Sequence, residues 1–121
     1  MGKDIKETVF ADCPIRNVLA RICDKWSLLI IHTLSAEPTL RFSGLQQRIP
    51  DISRKMLTTT LHTLVADGYV NRQVYAEMPP RVEYSLTDRA RSLLPIVYSL
   101  TEWATSNMAA ILEDRRRAAS A

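Results

Sequence analysis

Glycine, cysteine and histidine are scarce in this chain of 121 residues, with three, two and two of them. So little glycine beside frequent leucine favours helices over many short strands joined by tight turns. Two cysteines, Cys13 and Cys23, are too few for a disulfide scaffold. At opposite ends of one helix, at ~1.5 Å rise per residue, they would also stand too far apart to bridge. No apolar run approaches the ~20 residues of a membrane span, and the opening "MGKDIKETVF" has no apolar core of a signal peptide. A reducing, cytoplasmic location and no membrane partner are the expectation. His32 and His62 lie apart with no further Cys/His cluster, so no metal or other cofactor is expected. There is no Ser-His-Asp spacing, no Gly-rich phosphate loop and no catalytic carboxylate pair, which argues against an enzyme.

One local absence is the most informative. Residues 53 to 66, "SRKMLTTTLHTLVA", contain no Asp or Glu. The net charge of the whole chain is only +3, which permits a polyanionic partner without requiring one. On a helix the apolar residues Leu57, Leu61, Leu64 and Val65 fall on one side at ~100° per residue. Lys55, Thr59, His62 and Ala66 fall on the other, and Thr60 sits at the border. Ser53 is a good N-cap, and Gly68 stands where a left-handed C-terminal residue is wanted.

The rest of the chain fits around that helix. "DCPIRNVLARIC" reads as a helix start, with Asp12 or Cys13 at the cap, Pro14 at the first position, and Ile15, Val18, Leu19 and Ile22 as its stripe. A second helix in "KWSLLIIHTLSAEP" carries Trp26, Leu29, Ile30, Thr33 and Leu34 on one face. "TLRF" reads as a short strand, and Ser43 as the cap of a short helix that Pro50 stops. "YVNRQVYAE" and "RVEYSLT" form a hairpin around a proline-containing loop. Thr87 caps a long last helix, about 88–113, carrying Leu93, Ile96, Val97, Leu100, Trp103 and Ala104 at helical spacing. Pro95 is expected to kink or split it, and the polar end "EDRRRAASA" to fray.

The expected fold is mainly α with a small β-hairpin: one winged helix-turn-helix domain over 1–121. Its helix-turn-helix lies at about 43–67, around the turn Pro50, Asp51 and Ile52, and its wing at about 69–86. A recognition helix buries one stripe and offers the other to the major groove. Arg54 and Lys55 supply charge at its first turn, and Arg takes guanine bidentately. Short, uncharged threonines hydrogen-bond phosphates or meet thymine methyls without holding the helix out of the groove. His62 on that face is suited to phosphate. Arg81, just past the wing loop, suits the minor groove or its flanking phosphates, or else it pairs with Glu77 or Glu83 across the hairpin. The competing function is a winged helix used only for protein interaction. An acidic or apolar outer face would favour that, and this face has neither.

Several blocks occur together in order: Cys13-Pro14, Lys25-Trp26, Arg41-Phe42, Ile52-Ser53 and "PPRVEY". With them the stretch from about Cys13 to Trp103 resembles the HxlR-type transcriptional regulators, winged-helix proteins allied to the larger MarR group. The resemblance implies a homodimeric regulator of transcription that binds a double-stranded DNA operator. It places contacts on Ser53, Arg54, Lys55, Thr58 and Thr59, a wing contact on Arg81, and the dimer on the N- and C-terminal helices. Cys13 matches the family's N-terminal cysteine, which in some members looks like a redox or electrophile sensor. A helix N-terminus, with Arg16 one turn on, favours the thiolate; the other reading is a capping or packing cysteine in a dimer interface. A pocket between dimerisation helices and the winged domain is a place for a small-molecule effector, although no residue identifies one. Cys23-Asp24 stands where the family has Gly-Gly or a similar small pair, with Cys23 expected to pack as a small hydrophobe, and Gly44 replaces a more usual polar helix former.

Overall fold

The computed structural model describes residues 13–120. The first helix, α1, begins at Pro14 and is wound in two ways: a π-helical stretch Ile15–Leu19 and an α-helical turn Ala20–Ile22. Asp12, one of the two expected caps, lies outside the described residues. Then follow α2 (Ser27–Ser35), α3 (Phe42–Arg48), α4 (Arg54–Ala66), β1 (Val70–Tyr75), β2 (Arg81–Leu86) and α5 (Asp88–Ser120). β1 and β2 pair antiparallel, from Val70 opposite Leu86 to Tyr75 opposite Arg81.

The turn between α1 and α2 needs no glycine. Cys23 adopts φ −91° and ψ 33°, a negative φ that does not require glycine. The Asp24 carboxylate then caps α2, accepting the Ser27 N–H at 2.6 Å and the Ser27 hydroxyl at 3.0 Å. Cys23 is exposed rather than packed, because the backbone turns it outward at the end of α1. Capping also explains why Ser27 is buried on α2 beside Ile30, Ile31 and Leu34, whereas Leu29 is exposed; the buried face is rotated from the expected one.

"TLRF" forms no strand of its own. Leu40 makes a single antiparallel bridge to Tyr84 through two backbone hydrogen bonds of 2.9 and 2.8 Å. The chain turns helical as soon as that bridge ends, so α3 starts at Phe42 with Arg41 as its N-cap, and Ser43 lies inside it. Leu45 and Ile49 of this segment, Leu57, Leu61 and Leu64 of α4, and Tyr84 and Leu86 of β2 join the α2 residues in one core.

α5 departs from expectation twice. It continues through Pro95 as one helix, because a single proline removes only the bond to the Arg91 carbonyl while the turns on either side keep theirs. It also continues past 113 to Ser120, where Glu113 pairs with Arg116 and Arg117 along the helix. Thr87 caps its start as expected, its hydroxyl oxygen accepting the Ala90 N–H at 3.2 Å and its hydroxyl donating to the Gly68 carbonyl at 2.6 Å.

Candidate nucleic-acid interface

The α3–turn–α4 unit is built by local chemistry. Pro50 follows the last turn of α3, and buried Ile52 anchors the connection, its carbonyl accepting from Gln46 Nε2 at 3.4 Å. Ser53 is extended and its Oγ accepts the Met56 N–H at 3.0 Å, starting α4 where expected. At the other end the Tyr69 N–H reaches the Leu64 carbonyl at 2.9 Å and the Gly68 N–H reaches Val65 at 3.1 Å. This double closure needs a left-handed residue after the cap, and Gly68 supplies it at φ 80°.

α4 is also tied to the two terminal helices. Arg21 of α1 grips the Asp67 carboxylate with Nε at 2.6 Å and a terminal nitrogen at 3.1 Å. That hydrogen bond and charge raise the Arg21 pKa above its ordinary value. Arg89 of α5 donates to the Asp67 carbonyl at 2.8 Å.

Leu57, Leu61 and Leu64 hold α4 to the core, and the opposite face is open. Ser53 at the N-cap and Arg54, Lys55, Thr58, Thr59 and His62 along the helix are all exposed, with Lys55, Thr59 and His62 on the side opposite the leucines. Arg54 is steadied by Phe42, whose ring centre lies 5.2 Å from the guanidinium carbon. Thr58 donates its hydroxyl to the Arg54 carbonyl at 2.8 Å. Thr60 is only 7 % exposed and donates to the Met56 carbonyl at 2.7 Å, on the core side of the border.

Arg81 is apart from this row, at the start of β2 in the wing. It donates to Glu77 Oε1 at 3.2 Å and to Glu83 Oε2 at 2.6 Å, and its guanidinium lies 3.8 Å from the Tyr75 ring centre. The Glu77 hydrogen bond leads in raising its pKa, against a smaller opposing effect of burial. Arg81 is therefore paired, with Glu77 of the wing loop and with Glu83 of its own strand rather than across the hairpin, and it keeps its charge. Arg72 of β1 is exposed and stands with Thr58 and His62 around a cleft beside α4, a cation that sequence reasoning did not single out. Its position in the alternation Val70, Arg72, Val74 was the available signal: an arginine in an inward register.

Among the described residues no three His, Cys, Asp or Glu side chains gather as metal ligands, and no helix is long and apolar enough to cross a membrane. Cys13 and Cys23 are free thiols.

Residues 21–111 match the HxlR-like helix-turn-helix family. Among curated proteins the chain is 38% identical over 117 residues to the uncharacterised HTH-type transcriptional regulator YtfH of Escherichia coli (strain K12), covering 95% of this chain and 92% of that protein. Among solved structures it resembles the redox regulator HypR in its reduced form, with TM-score 0.76 and 38% identity over 83% of this chain and 98% of that one. It also resembles the reduced form of the transcriptional regulator YodB from B. subtilis, with TM-score 0.67 and 34% identity over 76% of this chain and 90% of that one. The matched span contains α2 to β2, the open face of α4 and the wing, and the chain belongs to the HxlR-like helix-turn-helix family of DNA-binding transcriptional regulators, which are not enzymes.

Proposed function

We propose that the chain is a cytoplasmic homodimer that reads a double-stranded operator with α4 and steadies it with the wing. The observation that carries this reading is the outer face of α4. Six polar or basic side chains are presented on a helix whose stretch 53–66 has no acidic residue, while its apolar face is locked to the core. Ser53, Arg54, Lys55, Thr58, Thr59 and His62 are the contacts in the major groove and on its phosphates, and Arg81 is the wing contact. Arg54 and Lys55 at the first turn are aimed at base edges.

Two α4 helices related by a dyad would enter successive turns of one groove. Selection of bound DNA from a random pool is expected to return a palindrome with half-sites about one turn, roughly 34 Å, apart. Enrichment of no motif would sink the assignment of a sequence-reading face.

The dimer reading rests on apolar side chains left uncovered on α1 and α5, including Ile15 at 65 % and Trp103 at 60 % exposure. A sensor role for Cys13 is the finer part of the proposal. Cys13 immediately precedes α1, and its carbonyl accepts the Asn17 N–H at 2.9 Å, so the thiol stands at a helix N-terminus. Oxidant is expected to change operator affinity in the parent and not in Cys13→Ser; an equal response in both would exclude Cys13 as the sensor. The effector, whether an oxidant or a small molecule, is part of the same proposal.

A further inference from the structure

The pleat of the hairpin sorts its side chains onto two faces. Val70, Arg72 and Val74 pair with Leu86, Tyr84 and Val82 on one face; Asn71, Gln73 and Tyr75 pair with Ser85, Glu83 and Arg81 on the other. Val70, Tyr84 and Leu86 are buried, so the first face is the one that packs on the core. Arg81 and the carboxylate of Glu83 stand on the opposite face. Arg72 is thus the hairpin cation that shares a side with the recognition helix. It is exposed where the hairpin runs past the edge of the core.

Arg72 lines a cleft of about 200 Å³ whose facing wall is Thr58, Leu61, His62 and Val65 of α4. Arg21, Arg48 and Arg81 each hold a carboxylate, but among the described residues Arg72 makes no ion pair or side-chain hydrogen bond. Thr58 has already given its hydroxyl proton to the Arg54 carbonyl. The donors left lining the cleft are the Arg72 guanidinium, the Tyr84 hydroxyl and an N–H of His62, which imidazole retains in either protonation state. Leu61 and Val65 make the lower wall apolar, which strengthens a charge contact there relative to open solvent. An unpaired planar cation, a second N–H donor and no acid match a tetrahedral phosphate, which guanidinium groups bind bidentately.

We propose that Arg72 and His62 form a phosphate seat at the junction of α4 and the wing, taking one phosphate of the DNA backbone. This rests on α4 reading DNA. It adds a contact from the inner face of the hairpin, so that helix and wing are pinned to the same strand between the base-reading turn and the wing tip. The contact positions the protein on the duplex and carries no base information.

The test compares the parent with Arg72→Gln and Arg72→Lys on the selected operator and on scrambled DNA, across salt. Arg72→Gln is expected to weaken both DNAs by a similar factor and to flatten the log–log salt dependence by about 0.9, one phosphate's worth. The gap between parent and variant then narrows roughly 3.5-fold between about 50 and about 200 mM salt. Arg72→Lys keeps the slope. Unfolding midpoints like the parent's separate lost contact from lost fold. An unchanged slope in Arg72→Gln, or a changed base preference in a random-pool selection with it, overturns the phosphate assignment while leaving the DNA reading intact. A parent that binds neither DNA sinks both. Inorganic phosphate, followed by NMR at Arg72 and His62 without DNA, is expected to bind only weakly. Saturation at micromolar phosphate would mean a seat for a free phosphorylated ligand and overturn the backbone assignment.

Discussion

Three consecutive threonines on α4 stand in three different settings. Thr58 folds its hydroxyl back to the Arg54 carbonyl, Thr60 does the same to Met56 from a buried position, and Thr59 is exposed on the outer face. Helical spacing at ~100° per residue is enough to set Thr60 apart from the other two. The back-bonding was not legible in the sequence, because a hydroxyl's choice between backbone and solvent depends on its rotamer. Ser53 was fully legible, since a cap is a local device. Ser53→Ala is expected to lose about 1 kcal/mol of stability in urea unfolding, and Ser53→Gly only a few tenths. A parental midpoint in Ser53→Ala would show that the Met56 N–H finds another acceptor. Arg81 is a harder case: spacing left open DNA contact or pairing with Glu77 or Glu83 across the hairpin, and the structure pairs it with both, Glu77 from the loop and Glu83 along its own strand. Two carboxylates beside one guanidinium oppose an approaching phosphate. The double variant Glu77→Gln/Glu83→Gln is therefore expected to bind DNA more tightly at low salt and to steepen the salt slope by roughly 0.9. Weaker binding would mean that holding Arg81 in place outweighs the repulsion.

At the scale of elements, sequence reading succeeded where signals were local and failed where tertiary contact decided. The capped α4, its glycine closure and the hairpin follow from residues within a few positions of one another. The start of α3 does not: it is set by the Leu40 bridge to Tyr84, distant in sequence. The buried side of α2 is an exception to that rule: it goes with a local device, the Asp24 cap three residues before Ser27, with Ser27 and Ile31 inward and Leu29 out. α5 shows a balance that composition alone could not weigh. Pro95 costs a backbone bond inside an otherwise regular helix, and the helix forms across it. Pro95→Ala restores the donor to the Arg91 carbonyl and is expected to stabilise the fold by about 1–3 kcal/mol, read from the denaturation midpoint. Pro95 is exposed, so the added bond is not offset by lost core packing. A variant less stable than the parent would mean that the proline shapes a bend on which the packing of α5 depends.

At the scale of the whole molecule, the core accounts for α2 to β2 but leaves apolar surface at both ends of the chain. On α1 only Ile22 is buried, while Ile15, Val18 and Leu19 are exposed; on α5 Val97 and Ala90 are buried, while Ile96, Leu100, Trp103, Met108 and Leu112 are exposed. The sequence showed both stripes as ordinary amphipathic patterns, since periodicity does not distinguish a face covered by its own domain from one covered by a second copy. The Arg21–Asp67 and Arg89–Asp67 contacts tie those same two helices to the C-terminal end of α4. The spacing of two recognition helices in a dimer would then be fixed by how α1 and α5 meet their counterparts. Trp103→Glu places a charge in that apolar face, far from α4, without touching the core. It is expected to sediment as a monomer at concentrations where the parent is a dimer, with its helical signal retained. Affinity for the palindrome is expected to fall toward that for a single half-site, a loss of roughly 10²–10⁴ as the second contact ceases to be intramolecular. A monomer that still binds the palindrome like the parent would separate dimerisation from operator reading, and a dimer that survives the charge would put the interface elsewhere than on Trp103.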